Sequence, residues 1–122
     1  ARKNMLVIAR TDSRDVYSFD EAVKRGTLYR DSGADVIFPE ALESIDEFRQ
    51  FAMRVEAPLL ANMTEFGKSP MLTVKDLGDI GYNLVIYPAP GQRAALAAVN
   101  KAFTNFRDKG TQINSLPDMM DS

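Results

Sequence analysis

The sequence predicts an α/β fold built from four parallel strand–helix units. Three observations carry that expectation. Short apolar runs recur at intervals of roughly 20 to 30 residues, and each is followed by apolar residues at helical spacing. The strand-like runs are continuous rather than alternating, as in strands covered on both faces. Strands separated by helices run parallel, because the crossover returns the chain to its starting edge.

Each element has its own local reason. Met5 to Ala9 is a short apolar run that reads as the first strand, followed by a polar turn. Ser18 is placed to cap a helix that turns Phe19, Ala22, Val23 and Leu28 towards the core, and Glu21 stands where a capping box needs it. Gly33 stops that helix, and Asp35 to Phe38 reads as the second strand. Ser44 and Glu47 repeat the capping pattern ahead of Ile45, Phe48, Phe51, Ala52 and Val55. Pro58 to Ala61 is the third strand, Thr73 opens a short helix ended by Gly81, and Asn83 to Tyr87 is the fourth strand. An Ala-rich helix spans 94–106 and stops at Lys109-Gly110, leaving a polar tail with one helical turn near 115–120. No linker or low-complexity stretch divides residues 1–122, which read as one region. Four such units make either a small doubly wound sheet or half of an eight-stranded barrel.

Composition narrows the chemistry. The chain has 122 residues, 45% of them hydrophobic, and a formal net charge of -2 with no basic cluster. That balance argues against a nucleic-acid or anionic-membrane surface. No apolar run approaches the roughly 18 residues of a membrane span. Five apolar residues between charges at the start are too few for a signal peptide. The absence of cysteine mildly favours a reducing compartment, with the cytoplasm as the default. Histidine is also absent, so the commonest general base, the usual zinc ligands and the thiol nucleophile are all excluded.

The ligand site of a parallel α/β fold lies at the carboxyl ends of its strands. The four expected ends read ARTD, FPEA, ANMTEFG and YPAPGQR, so all four deliver polar or charged groups to one rim. Arg10 and Arg93 present planar forks suited to carboxylates, Asn62 and Thr64 add neutral donors, and Glu40 can orient an arginine or an incoming hydroxyl. That set suits a small polycarboxylate. Tyr17, Tyr29 and Tyr82 read instead as amphipathic edge residues, and Met119-Met120 as a packing or partner surface.

The stretches VIARTD, GADVIFPEAL, LLANMTEFGKSP and IGYNLVIYP occur in that order, and they resemble the C-terminal half of the 2-methylisocitrate lyases. These enzymes belong to the isocitrate lyase/phosphoenolpyruvate mutase superfamily. NMTEFG is the most specific piece, and the likeness covers nearly the whole chain. It implies an eight-stranded barrel of which this chain supplies the last four strands, with the other half as its partner and a homo-oligomer as the assembly. It also implies magnesium-dependent carbon–carbon cleavage of 2-methylisocitrate to succinate and pyruvate. The family's substrate-binding residues fall on Arg10, Glu40, Asn62, Thr64 and Arg93.

The departures are informative. The family's magnesium-binding aspartates and its Lys-Arg-Cys-Gly-His loop belong to the first half of the barrel and have no counterpart here. No catalytic residue or metal ligand is therefore expected in this chain. MMDS stands where the family has an arginine-bearing stretch, and YPAPGQR departs from the family's usual run before Arg93. A start at Ala1, directly before a strand, suggests a segment of a longer chain. The alternatives are isocitrate lyase, oxaloacetate decarboxylase, a phosphonopyruvate-type enzyme, or a non-catalytic half-barrel assembly module.

Overall fold

The structure, a computed structural model, describes residues 4–121. The chain divides into two compact units, Ala1–Pro88 and Ala89–Ser122. The first unit contains all four strands: β1 (Ile8–Thr11), β2 (Val36–Pro39), β3 (Leu60–Asn62) and β4 (Leu84–Ile86). Its helices are α1 (Ser13–Val16), α2 (Phe19–Asp31), α3 (Ile45–Val55) and α4 (Val74–Ile80). The second unit holds α5 (Pro90–Lys109) and a 3-10 turn, Ile113–Asp118.

Every strand pairing is parallel, as expected. β1 pairs with β2 from Ile8–Val36 to Thr11–Pro39, and β3 with β4 from Leu60–Leu84 to Asn62–Ile86. A single parallel bridge, Ile37–Leu59, joins the two pairs, with Ile37 N–H donating to the Pro58 carbonyl at 2.9 Å. The sequence explains why only one rung forms. The next donor on β2 would be Pro39, which has no N–H. The strands therefore follow one another in chain order, with no reversal.

Alternation along the strands sorts two apolar clusters. Ile37, Leu59, Ala61 and Met63 pack with Ala22 and Val23 of α2, Phe48, Phe51 and Val55 of α3, and Leu77 of α4. Val36, Phe38 and Leu60 alternate with them and form a separate cluster on the other face. On that face Ile8, Leu84 and Ile86 remain 38–45% exposed.

The expected caps hold at Ser18 and Ser44, whose hydroxyls accept from the N–H of Glu21 and Glu47. The reciprocal half of each box does not form. Glu21 turns to Arg25, and Glu47 accepts from the Glu43 N–H and from Arg14. Among the described residues the one complete box is Thr73 with Asp76, opening α4. The first strand begins at Ile8 rather than Met5, because the ladder with β2 starts there; Met5 and Leu6 are exposed. Leu28 is exposed on α2, while Gly26 takes the place facing Phe51. Tyr82, expected at an edge, is buried with its ring 5.3 Å from Phe48. Burial pushes its hydroxyl well above the usual tyrosine range. The polar turn after β1 contains α1, and α5 starts at Pro90, where a proline suits the first turn of a helix.

Candidate functional site

The carboxyl ends of β1, β2 and β3 carry a connected row of polar side chains. Arg10 lies beside Phe38 in the β1–β2 register, with its guanidinium 5.0 Å from the ring centroid. Asp12, two residues on, takes one edge of the fork. Arg10 Nε donates to Asp12 Oδ1 and Oδ2 at 3.2 and 3.1 Å, and Nη2 donates to Oδ1 at 2.7 Å. Glu40 Oε2 stands 3.6 Å from the same Nη2. Asn62 Nδ2 donates to Glu40 Oε2 at 3.3 Å, and Thr64 Oγ1 donates to Asn62 Oδ1 at 2.7 Å. The row thus runs from Arg10 through Glu40 and Asn62 to Thr64 across three adjacent strand ends.

These groups border a cleft of about 280 Å³, which Asp15 and Lys68 also line. Lys68 pairs with Asp15 across it. Behind the cleft, Thr11 and Ser13 are buried and share a hydroxyl–hydroxyl bond of 2.9 Å, which fixes the turn into α1. Arg14 of α1 reaches Glu47 and Glu43 at 2.9 Å each. With no side-chain cap of its own, the four-residue α1 is anchored by these ion pairs. Ala41, directly after Glu40, has φ 60°, a left-handed conformation that an alanine adopts only at some cost in strain.

The electrostatics follow from the contacts. Hydrogen bonds from Arg10 hold the Asp12 carboxyl below the usual aspartate range, against a smaller opposing effect of burial. The same bonds raise Arg10 further. Both side chains are about half exposed, so solvent screens much of this interaction.

Four of the five expected site residues therefore meet: Arg10, Glu40, Asn62 and Thr64. Arg93 belongs to the second unit, near the start of α5, and its assignment as a site residue rests on the strand-end reading and the resemblance. The fork of Arg10 rests mainly on Asp12, with Glu40 farther away; the i, i+2 spacing was the available sequence signal for that pair. Nothing in the sequence signalled Lys68–Asp15, whose partners are 53 residues apart.

A metal was implied by resemblance, and the donor set here does not supply its site. Asp12 is taken by Arg10, Asp15 by Lys68, and Glu40 by Asn62 and Arg10. Among the described residues no group of three acidic side chains is placed to hold a cation.

A parallel α/β chain with its polar row at the carboxyl ends of the strands is of the class that binds small ligands at that rim. The chain belongs to the phosphoenolpyruvate phosphomutase family, which matches residues 1–107. It is 54% identical over 112 residues to a 2-methylisocitrate lyase of Aeropyrum pernix, covering 92% of this chain and 36% of that protein. Against the 2-methylisocitrate lyase of Bacillus subtilis the identity is 47%, covering 98% of this chain and 40% of the relative. Among solved structures, 2,3-dimethylmalate lyase superposes with a TM-score of 0.83 at 34% identity, over 88% of this chain and 38% of that one. Oxaloacetate acetylhydrolase gives 0.84 at 30% identity, over 88% and 37%. The chain thus spans about two fifths of the length of the relatives it matches.

Proposed function

We propose that this chain is the substrate-carboxylate-binding half of a barrel lyase that cleaves 2-methylisocitrate to succinate and pyruvate. The observation that carries the reading is the Arg10–Glu40–Asn62–Thr64 row at three consecutive strand ends. Arg10 would hold a carboxylate, Asn62 and Thr64 would orient oxygens beside it, and Glu40 would keep Arg10 and Asn62 in register. Arg93, in the second unit, is a further substrate-binding residue by its resemblance to the family. The consecutive strand order and the second apolar face suit one half of a closed eight-stranded barrel, in which the remaining strands cover Ile8, Leu84 and Ile86. Magnesium and its ligands would come with that other half.

The test is a pyruvate-release assay on the 122-residue chain and on a complete parent protein. Turnover of 2-methylisocitrate is expected from the complete protein and none from the isolated chain. Robust turnover by the isolated chain would contradict the division of labour. The isolated chain should also self-associate through its uncovered strands, so a monomer in solution counts against the half-barrel. A second reading is favoured by the solved neighbours, which include a 2,3-dimethylmalate lyase and an oxaloacetate acetylhydrolase. A panel adding isocitrate, 2,3-dimethylmalate and oxaloacetate separates these substrates.

A further inference from the structure

The cleft contains two cations, and they are held in different ways. Arg10 is fixed: Asp12 takes its Nε–Nη2 edge, and the Phe38 ring lies against the guanidinium, leaving the Nη1 end for a ligand. Lys68 is a point charge on a flexible stem and rests on Asp15, with the two side chains 57% and 45% exposed. An exposed pair of that kind contributes little to stability, so exchanging Asp15 for a ligand carboxylate costs little. Thr64, which ends the polar row, lines the same cleft as Lys68 and lies only four residues before it.

Resting on the reading of this cleft as a carboxylate site, we infer that Lys68 is a second carboxylate anchor. It holds the ligand carboxylate distal to the one on Arg10, and Asp15 is its resting partner when the cleft is empty. The cleft thereby selects ligands with two or more carboxylates over those with one. Asp15 acts as an internal competitor, occupying Lys68 with the same chemical group that the ligand brings.

Titration calorimetry of the complete parent protein with succinate and with propionate tests this. K68M should lower succinate affinity about tenfold and leave propionate affinity within about twofold, whereas K68R should retain most of the succinate binding. D15N, which releases the ammonium and removes one negative charge, should raise succinate affinity severalfold. D79N, which makes the same charge change beside Lys75 on α4, should leave it within about twofold. K75M, which removes a lysine on α4 paired with Asp79, serves as the control for net charge. Equal losses for both ligands in K68M, or a loss in K75M as large, would reduce Lys68 to a general field effect and overturn the inference. A succinate loss in D15N matching that of K68M would make the pair structural, with the same consequence. If K68M does not fold, the comparison of D15N with D79N decides: a gain in D15N alone supports the inference, and equal gains overturn it. Failure of the unsubstituted protein to bind succinate would sink the carboxylate reading of the cleft itself. Normal succinate binding with no response to D15N or K68M would sink only the role of Lys68.

Discussion

Arg10 combines three constraints on one guanidinium: a stiff strand behind it, an aromatic face beside it, and a carboxylate on one edge. Arg10→Lys keeps the charge and loses the fork, so the geometry of the remaining end is lost with it. Succinate affinity should fall about ten- to hundred-fold, the equivalent of losing a charge-assisted contact of roughly 1.5–3 kcal/mol. The melting temperature should barely move, because the side chain is half exposed. Unchanged affinity with a lowered melting temperature would identify Arg10 as a structural ion-pair residue. Tyr82 makes the opposite case. Its hydroxyl is buried without a hydrogen-bond partner among the described residues, so it bears a desolvation cost with no compensating bond. Tyr82→Phe should leave stability unchanged or raise it by up to about 1 kcal/mol. A drop of similar size on thermal melting would show that the hydroxyl has a partner, such as a bound water.

Among the elements, α2 shows how packing overrides propensity. An isolated helix would gain about 1 kcal/mol from Gly26→Ala. A Cβ at Gly26, however, would sit 2.8 Å from Phe51 Cζ and 3.3 Å from Val55 Cγ2. Both neighbours are fully buried and cannot swing away. Overpacking of this kind costs about 1–3 kcal/mol, so the net effect should be destabilising. Chemical denaturation reads the sign directly, and a stabilised variant would mean that α2 shifts off the core freely. Much at this scale was legible in advance. The serine caps, the glycine stops at 33, 81 and 110, and the apolar stripe of α3 are local, so the sequence displays them. The start of β1 and the real partners of Glu21 and Glu47 depend on groups brought in by folding. So does the contact that forbids a side chain at Gly26. The same division applies to the cleft. The strand-end residues could be located by rule, but Lys68 and Asp15 meet only once three elements have folded.

Across the first unit, the rim is tied together by charge. Arg14 links α1 to α3, Lys68 links α1 to the loop after β3, and Arg10 links β1 to its own turn. Two carboxyls in this network are held below their ordinary range. For Glu47, burial pushes upward as the largest single influence, and the bonds from Arg14 and the Glu43 N–H together outweigh it. For Asp12, the bonds from Arg10 dominate. A carboxyl depressed in the folded state stabilises at pH above its ordinary value and loses that contribution as pH falls through the folded value. The melting temperature should therefore hold steady from neutrality to about pH 5 and fall below about pH 4. Glu47→Gln should lower stability at neutral pH by about 1 kcal/mol and flatten the acid limb. An acid limb of unchanged steepness in that variant would place the titration elsewhere.

The consecutive order of the strands also bears on how the chain acquires its shape in time. The pairings Ile8–Val36, Ile37–Leu59 and Leu60–Leu84 close loops of 28, 22 and 24 residues. Loop-closure entropy varies so slowly with length that these differ by only about 0.2 kcal/mol. No pairing has to wait for a distant partner, and none is favoured by entropy over the rest. Each strand can dock as soon as the helix before it has been synthesised, so the unit can assemble progressively behind an advancing ribosome.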